Sequence, residues 1–411
     1  MDGGEHTEII IAGLLLTVAA LVTLARVLNV PYPIFLVLGG LALGAIPGMP
    51  DIQLDPELVL LIFLPPLLYG AAFFASLRDL RRNVGPISAL AVGLVLVTCC
   101  TVAVVIHAVV PGMSWAAAFV LGAIVSPTDP VAATAIAARL GLPRRVVVVV
   151  EGESLINDAT AITAYRVAVV AVTAGTFSLS DAGGRFVIAA AGGVVIGLAV
   201  GYVVAFVRSR LDDPPVEITI SLLTGYLAYL PAEQLELSGV VAAVTVGLYM
   251  GSQTSRVTNA TLRMQTVPVW QILIFLLNSF LFVLIGLQLP ALLDELQAAD
   301  FDVPTVIGYG LLASAAVIVV RIVWVFALTG VLRMRGTRLR QRNVALVAWM
   351  GMRGAVSLAA ALALPTTTDA GTPFTERPLI LFVTFVVILV TLVVQGLSLP
   401  LVIRALRVEP D

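Results

Sequence analysis

Apolar residues fill the chain in runs about as long as a bilayer is thick, with polar residues, Pro and Gly gathered between them. The runs lie near residues 8–28, 31–47, 55–74, 84–110, 114–139, 146–173, 184–208, 214–231, 237–253, 266–290, 304–332, 343–364 and 377–404. They predict an all-α polytopic membrane protein of about thirteen transmembrane helices. No polar stretch between them is long enough for a soluble domain, so residues 1–411 read as a single transmembrane domain without a soluble regulatory part.

Composition sharpens this picture. Hydrophobic residues make up 60% of the chain and charged residues 12%, against about a quarter charged in a soluble domain. The acidic start, Met1 to Glu8, lacks a basic flank and a cleavage site, so the first run is expected to stay as a helix. A formal net charge of −2 gives no sign of a nucleic-acid partner. Cys99 and Cys100 are adjacent within an apolar run, which excludes a disulfide framework and favours buried small side chains. With only His6 and His107, a His-rich metal site is excluded as well.

All 23 basic residues are Arg. Ends of odd-numbered spans carry Arg26, Arg78, Arg81, Arg82, Arg139, Arg144, Arg145, Arg208, Arg210, Arg256 and Arg263. They also carry Arg333, Arg335, Arg338, Arg340, Arg342, Arg404 and Arg407. The other ends carry only Arg185 and Arg377, among acids such as Asp51, Asp55, Glu233, Glu236, Asp294, Glu295, Asp300 and Asp302. This asymmetry predicts an N-terminus outside and a C-terminus in the cytoplasm.

A few charges remain inside the spans. Counting from helix ends puts Asp129, Asp158, Arg321 and Arg353 each about 15 to 20 Å deep, near the bilayer midplane. Arg166 lies about 30 Å along its helix and is expected to reach the outer interface. Intramembrane charges are costly and survive where they face a partner or a cavity. Pro127 and Pro130 bracket Asp129, so the fifth span is expected to unwind there. Gly351 and Gly354 flank Arg353 and weaken the twelfth span at matching depth. Interrupted helices fifth and twelfth of thirteen predict two inverted six-helix repeats, about 8–173 and 214–404, joined by a linker helix at about 184–208. Gly193, Gly197 and Gly201 in that linker form a small-residue stripe for close helix packing or a dimer contact. Pro65 and Pro66 predict a kink in the third span.

On the sixth span Glu153 and Asn157 are four apart, as are Ser154 and Asp158, so each pair shares a helix face. With Thr128 and Asp129 they assemble the oxygen ligands that a monovalent cation needs. Burial disfavours the charged form of a carboxylate, so a proton competes with a cation for Asp158. Asn157 in place of a second acid leaves one exchangeable charge, which suggests electroneutral one-for-one exchange. Glu153 is expected to be neutralised by an arginine, Arg321 by depth, with Arg353 offsetting exposed carbonyl ends or facing Asp129. Depth alone leaves these two arginines interchangeable. Glu151 lies nearer the cytoplasmic mouth, and His107 reads as a packed or interfacial histidine.

These residues resemble the sodium/proton exchanger family, in its electroneutral monovalent cation/proton antiporter branch. Ser126 to Pro130, Gly152 to Asp158, Gly351 to Val356 and Leu64-Pro65-Pro66-Leu67-Leu68 carry the resemblance. It implies a homodimer whose protomers divide into a dimerisation domain and a mobile core that shifts like an elevator. It further implies that Asp158 binds cation and proton, that Asp129, Thr128, Ser154 and Asn157 line its site, and that Glu153 and Arg321 form an ion pair. The short stretch after the last span argues against tail-based control and suits a prokaryotic plasma-membrane exchanger serving pH homeostasis.

The expected activity is therefore Na+/H+ antiport by alternating access, with Li+ or K+ as possible cargo. A K+-selective antiporter or a cation channel is the alternative. No cofactor is expected, and the expected partners are membrane lipid, the transported cation and a second copy of the chain. The absence of a nucleotide-binding glycine loop excludes a primary pump, and no Ser/His or paired-Asp arrangement suggests an intramembrane enzyme.

Overall fold

In hydrocarbon, where no water can bond the backbone, an apolar run must close each N–H onto a carbonyl of its own helix. The computed structural model describes residues 3–28, 31–46, 56–131, 133–134, 141–173, 179–257, 260–334 and 340–408, and among these each expected run contains helix. The spans are α1 (Gly3–Val27), α2 (Tyr32–Gly44), α3 (Pro56–Phe74), α4 (Val84–Val109), the first half of α5 (Trp115–Val125) and α6 (Arg144–Thr173). They continue as α7 (Leu179–Arg208), α8 (Pro214–Gln234), α9 (Gly239–Val257), α10 (Ala260–Leu287) and α11 (Val303–Met334). Last come α12 in two pieces (Gln341–Trp349 and Ala355–Leu362) and α13 (Arg377–Leu406). Most of the expected second half of the fifth span, with Arg139, lies outside the described residues, as do Asp51, Asp55, Arg335 and Arg338. Among the described residues the one β feature is an isolated bridge between Thr367 and Pro373.

Two further helices, Leu77–Arg82 and Leu289–Ala298, were not expected. The first is too short and too polar to register as an apolar run, and the second carries the acids that seemed to mark a loop. Ser76 caps the first of them by accepting from the Asp79 amide at 3.3 Å.

Both expected interruptions are present. Helix α5 stops at Val125, and Pro127 to Asp129 are not helical. Helix α12 stops at Trp349 and restarts at Ala355, with Met350 to Gly354 non-helical between. The prolines of α3 do not break it, because a neighbour repairs the damage. Pro66 has no N–H for the Ile62 carbonyl four residues back, and the Tyr226 hydroxyl of α8 donates to that carbonyl at 2.7 Å. Two π-helical stretches, Ala89–Leu94 in α4 and Thr391–Gln395 in α13, loosen spans beside the interrupted helices.

Packing divides the helices into groups. Helices α4, α5, α6, α11, α12 and α13 pack chiefly on one another, as do α3, α7, α8 and α9, while α1 and α2 gather on α10. The glycine stripe of α7 belongs inside the second group. A Cβ at Gly193 would strike the Ser238 carbonyl, and one at Gly197 the Ala242 carbonyl and Thr245. One at Gly201 would strike the Tyr249 ring. Close packing against α9 thus accounts for the stripe.

One expectation needs correction. Cys99 is buried, but Cys100 is exposed, because successive residues of a helix point about 100° apart and only one of two can face inward. Arg208 ends α7, as expected for a basic span end; it is 2% exposed and lies 3.6 Å from Glu217, so the α7–α8 connection carries a buried ion pair. Because the obstacle at Gly197 is backbone, Gly197→Leu should lower the melting temperature of the detergent-solubilised protein, at a cost of ~1–3 kcal/mol. Gly184→Ala, where an added Cβ meets nothing, should leave it unchanged or slightly raised.

Candidate ion-binding site

Two helices broken at the same depth leave unpaired backbone groups, and here each break satisfies the other. The Asp129 amide donates to the Met352 carbonyl at 2.8 Å, joining the two non-helical stretches. The Arg353 guanidinium covers the C-terminal end of α5: Nε donates to the Val125 carbonyl at 2.9 Å and Nη2 to that of Ser126 at 3.4 Å. Its Nη1 also donates to the Gly351 carbonyl, and its backbone amide donates to Thr391 Oγ1 at 3.1 Å. A cation at the negative end of a helix dipole is favourable, and here it is fully buried. Of the two roles open to Arg353, the geometry matches the capping of carbonyl ends, on α5 as well as in its own break.

Asp129 sits at the start of the chain's return to helix. Its Oδ1 accepts from the Val131 amide at 2.8 Å, a turn of the kind Asp favours at helix N-termini. Gly354 is required beside it, since a Cβ there would collide with the Asp129 carboxylate. Its φ of −141° is ordinary extended backbone, so space and not conformation demands glycine here.

The two faces of α6 do different work. One face carries Glu153 and Asn157. Glu153 forms a two-point pair with Arg321, Nη1 to Oε1 at 2.5 Å and Nη2 to Oε2 at 2.9 Å. Arg321 also donates from Nε and Nη2 to the Val347 carbonyl at 3.2 and 3.0 Å, so its charge is satisfied on two sides. Thr128 Oγ1 donates to Glu153 Oε1 at 3.0 Å. Asn157 Nδ2 in turn donates to Thr128 Oγ1 at 2.9 Å and to its carbonyl at 3.3 Å. The depth-based pairing of Glu153 with Arg321 is therefore the observed one.

The other face carries Ser154 and Asp158, which line a cavity of about 340 Å³ together with Pro127, Thr128, Asp129 and Pro130. Among the described residues no hydrogen bond or ion pair reaches the Asp158 carboxylate. Glu151 also lines this cavity, nearer the end where Phe74 and Ala75 lead into the arginine-bearing helix Leu77–Arg82. Asn157 does not line it; the amide points to Thr128, and its Oδ1 is buried without a partner.

Cavity residues that pattern reasoning passed over are Asn278 of α10 and Ser357 of α12. Asn278 was visible as an amide in an apolar span, whereas Ser357 is an ordinary small residue until the fold brings it beside Gly354. Away from the site, Arg166 reaches Glu233 at 2.7 Å, and His107 stacks on Trp115 and bonds the Met113 carbonyl at 2.7 Å. The histidine is thus packed at a helix end, as expected.

Comparison with known proteins supplies a second line. The sequence profile described as "Sodium/hydrogen exchanger, transmembrane" matches residues 13–405. A protein of Mycobacterium tuberculosis strain H37Rv, termed an uncharacterised Na+/H+ exchanger, is 41% identical over 100% of this chain and 76% of its own. A sodium, potassium, lithium and rubidium/H+ antiporter of Bacillus pumilus is 34% identical over 96% of this chain and 61% of its own. The solved structure of the sodium proton antiporter MjNhaP1 from Methanocaldococcus jannaschii at pH 8 superposes with a TM-score of 0.75 at 21% identity. It covers 98% of this chain and 100% of that one, a likeness of fold.

The buried pair makes a stability prediction. Arg321 and Glu153 are 0% and 1% exposed, so Arg321→Met or Glu153→Gln alone should each cost roughly 3–5 kcal/mol by stranding the partner. Arg321→Met combined with Glu153→Gln should cost less than the sum of the two singles, as read from melting temperatures in a double-mutant cycle.

Proposed function

The chain belongs to the sodium/hydrogen exchanger family, a family of membrane transporters and not enzymes, and we propose that it exchanges a monovalent cation for a proton at Asp158. The observation that carries this reading is the contrast between neighbouring acids. Glu153 is neutralised by Arg321 and hydrogen-bonded by Thr128, whereas Asp158 faces a cavity and no described residue bonds its carboxylate. Asp129 is fastened to the start of the returning helix through the Val131 amide. One carboxylate is thus left to exchange its charge partner.

A buried carboxylate needs either a proton or a cation, because an uncompensated charge in the membrane interior is costly. Thr128, Ser154 and Asp129 supply further oxygens around it. Asn157 acts through Thr128, holding it toward the site and to the Glu153–Arg321 pair. A single exchangeable charge makes the cycle electroneutral, one cation against one proton. Both Na+ and K+ fit this chemistry, and the Bacillus pumilus relative is named for Na+, K+, Li+ and Rb+.

Access from alternate sides is supported by the asymmetry of the cavity. Its lining runs out to Phe74, Ala75 and Glu151 at the arginine-rich end. Toward the other end Leu155, Ala159 and Ile162 of α6 pack on Leu64, Tyr229, Val240 and Val244, and beyond them Arg166 of α6 holds Glu233 of α8. In our reading α4 to α6 and α11 to α13 form a core that moves against the remaining helices, and the arginine-rich end faces the cytoplasm. The transporter acts in the plasma membrane as a homodimer, in pH homeostasis.

Protein reconstituted in liposomes should acidify or alkalinise the lumen when a sodium, lithium or potassium gradient is imposed. In the sodium and lithium runs the rate should not change when valinomycin with balanced potassium clamps the voltage. Asp158→Asn should abolish the exchange while keeping its melting temperature and gel-filtration profile. A folded mutant that exchanges normally would make Asp158 structural, and a voltage-dependent rate would rule out one-for-one exchange.

A further inference from the structure

The short helix Leu77–Arg82, the Asn83 that ends it and the first turns of α6 enclose a second cavity, apart from the ion-binding site. Its volume is about 450 Å³, and it is lined by Asp79, Arg82, Asn83, Arg144, Arg145 and Val148. Three arginines face a single carboxylate, which leaves a surplus of two positive charges.

The contacts show which charges are already satisfied. Arg144 Nη2 pairs with Asp79 Oδ2 at 2.8 Å, and Arg145 Nε donates to Asn83 Oδ1 at 3.2 Å. Asn83 Nδ2 donates in turn to the Asp79 carbonyl at 2.9 Å, so the amide is held in place by both of its ends. Hydrogen bonding from Ser76, then Arg144, keeps the Asp79 carboxyl below the usual carboxylate range. The Arg82 side chain makes no hydrogen bond with another described residue, though its charge helps to hold the Asp79 carboxyl low. The N–H groups of Arg145 beyond Nε meet no acceptor among the described residues either. Arg144 and Arg145 open α6, where the helix dipole is positive; the next two amides, of Val146 and Val147, donate to the Pro143 carbonyl at 2.9 and 3.4 Å.

Guanidinium groups converging on a helix N-terminus form a receptor for tetrahedral oxyanions. The position adds a further constraint. The cavity lies at the end of a membrane span, where phosphate groups of anionic lipids lie. The geometry points to a binding site for a phosphate group, held by Arg82, Arg145 and the start of α6.

Occupation of this site would reach the transport helix directly. The short helix connects α3, which packs with α7 to α9, to α4, which packs with α5 and α6. It rests on α6 at Gly152, where a Cβ would strike Leu80 and Ile87, beside Glu151 and Glu153. A phosphate bridging Arg82 and Arg145 therefore fastens the connecting helix to the helix that carries Asp158.

Thermal unfolding of the purified protein tests the site without relying on transport. Samples would be prepared in phosphatidylcholine alone, in phosphatidylcholine with phosphatidylglycerol, and in phosphatidylcholine with added inorganic phosphate. The native protein should be stabilised by several degrees in at least one phosphate-bearing arm. Stabilisation by phosphatidylglycerol alone assigns the site to a lipid headgroup, and stabilisation by inorganic phosphate as well assigns it to a soluble phosphate. Arg82→Gln removes a side chain that hydrogen-bonds no other described residue, and should raise the half-maximal concentration at least fivefold. Arg82→Gln with Arg145→Gln should abolish the shift, whereas Arg78→Gln with Arg81→Gln, outside the cavity, should retain it. Equal shifts in all variants, or no shift in the native protein, would overturn the proposal.

Discussion

Two helices that end in mid-membrane leave carbonyls and amides with no water to bond, and the centre of this protein is arranged around satisfying them. Arg353 answers the carbonyl end of α5, Met352 answers the Asp129 amide, and Asp129 answers the amide of the returning helix. Each link crosses between the broken helices or closes one of them, so neither break is stable without the other. Gly354 keeps the crossing close enough for these bonds to form.

Once the backbone is satisfied, the side chains of α6 sort by face. Glu153, Asn157, Thr128 and Arg321 form a connected network around a compensated charge, in which both Glu153 oxygens and the Thr128 hydroxyl are engaged. One residue further along, Ser154 and Asp158 look into open space. A one-residue step on a helix turns a side chain by about 100°, enough to separate a structural acid from an exchangeable one. This division sets Asp158, which faces the cavity, apart from Glu153, which Arg321 neutralises.

The spans were legible because a bilayer imposes their length, and the breaks were legible because Pro127, Pro130, Gly351 and Gly354 are poor helix formers at one depth. Depth showed that Glu153 needs an arginine, since a buried acid needs a cation, but it left Arg321 and Arg353 interchangeable, and only the resemblance pointed to Arg321. Arg353 could not be assigned that way, because its partners are mostly backbone carbonyls, which leave no mark in a sequence. The i, i+4 spacing on α6 identified two faces but not which one met the cavity, so Asn157 was grouped with the lining when its amide turns to Thr128. The helix Leu77–Arg82 escaped notice for a related reason: it is short, and tertiary contacts at Gly152 and the Ser76 cap hold it rather than periodicity.

The central claim is that a proton and a cation compete for one carboxylate. Calorimetric titration of the purified protein with sodium, repeated in two buffers of different ionisation enthalpy, counts the protons released on binding. The account predicts one proton for each cation, with affinity falling about tenfold per pH unit once the site is protonated. Cation binding that releases no proton and keeps its affinity as the pH falls would contradict it.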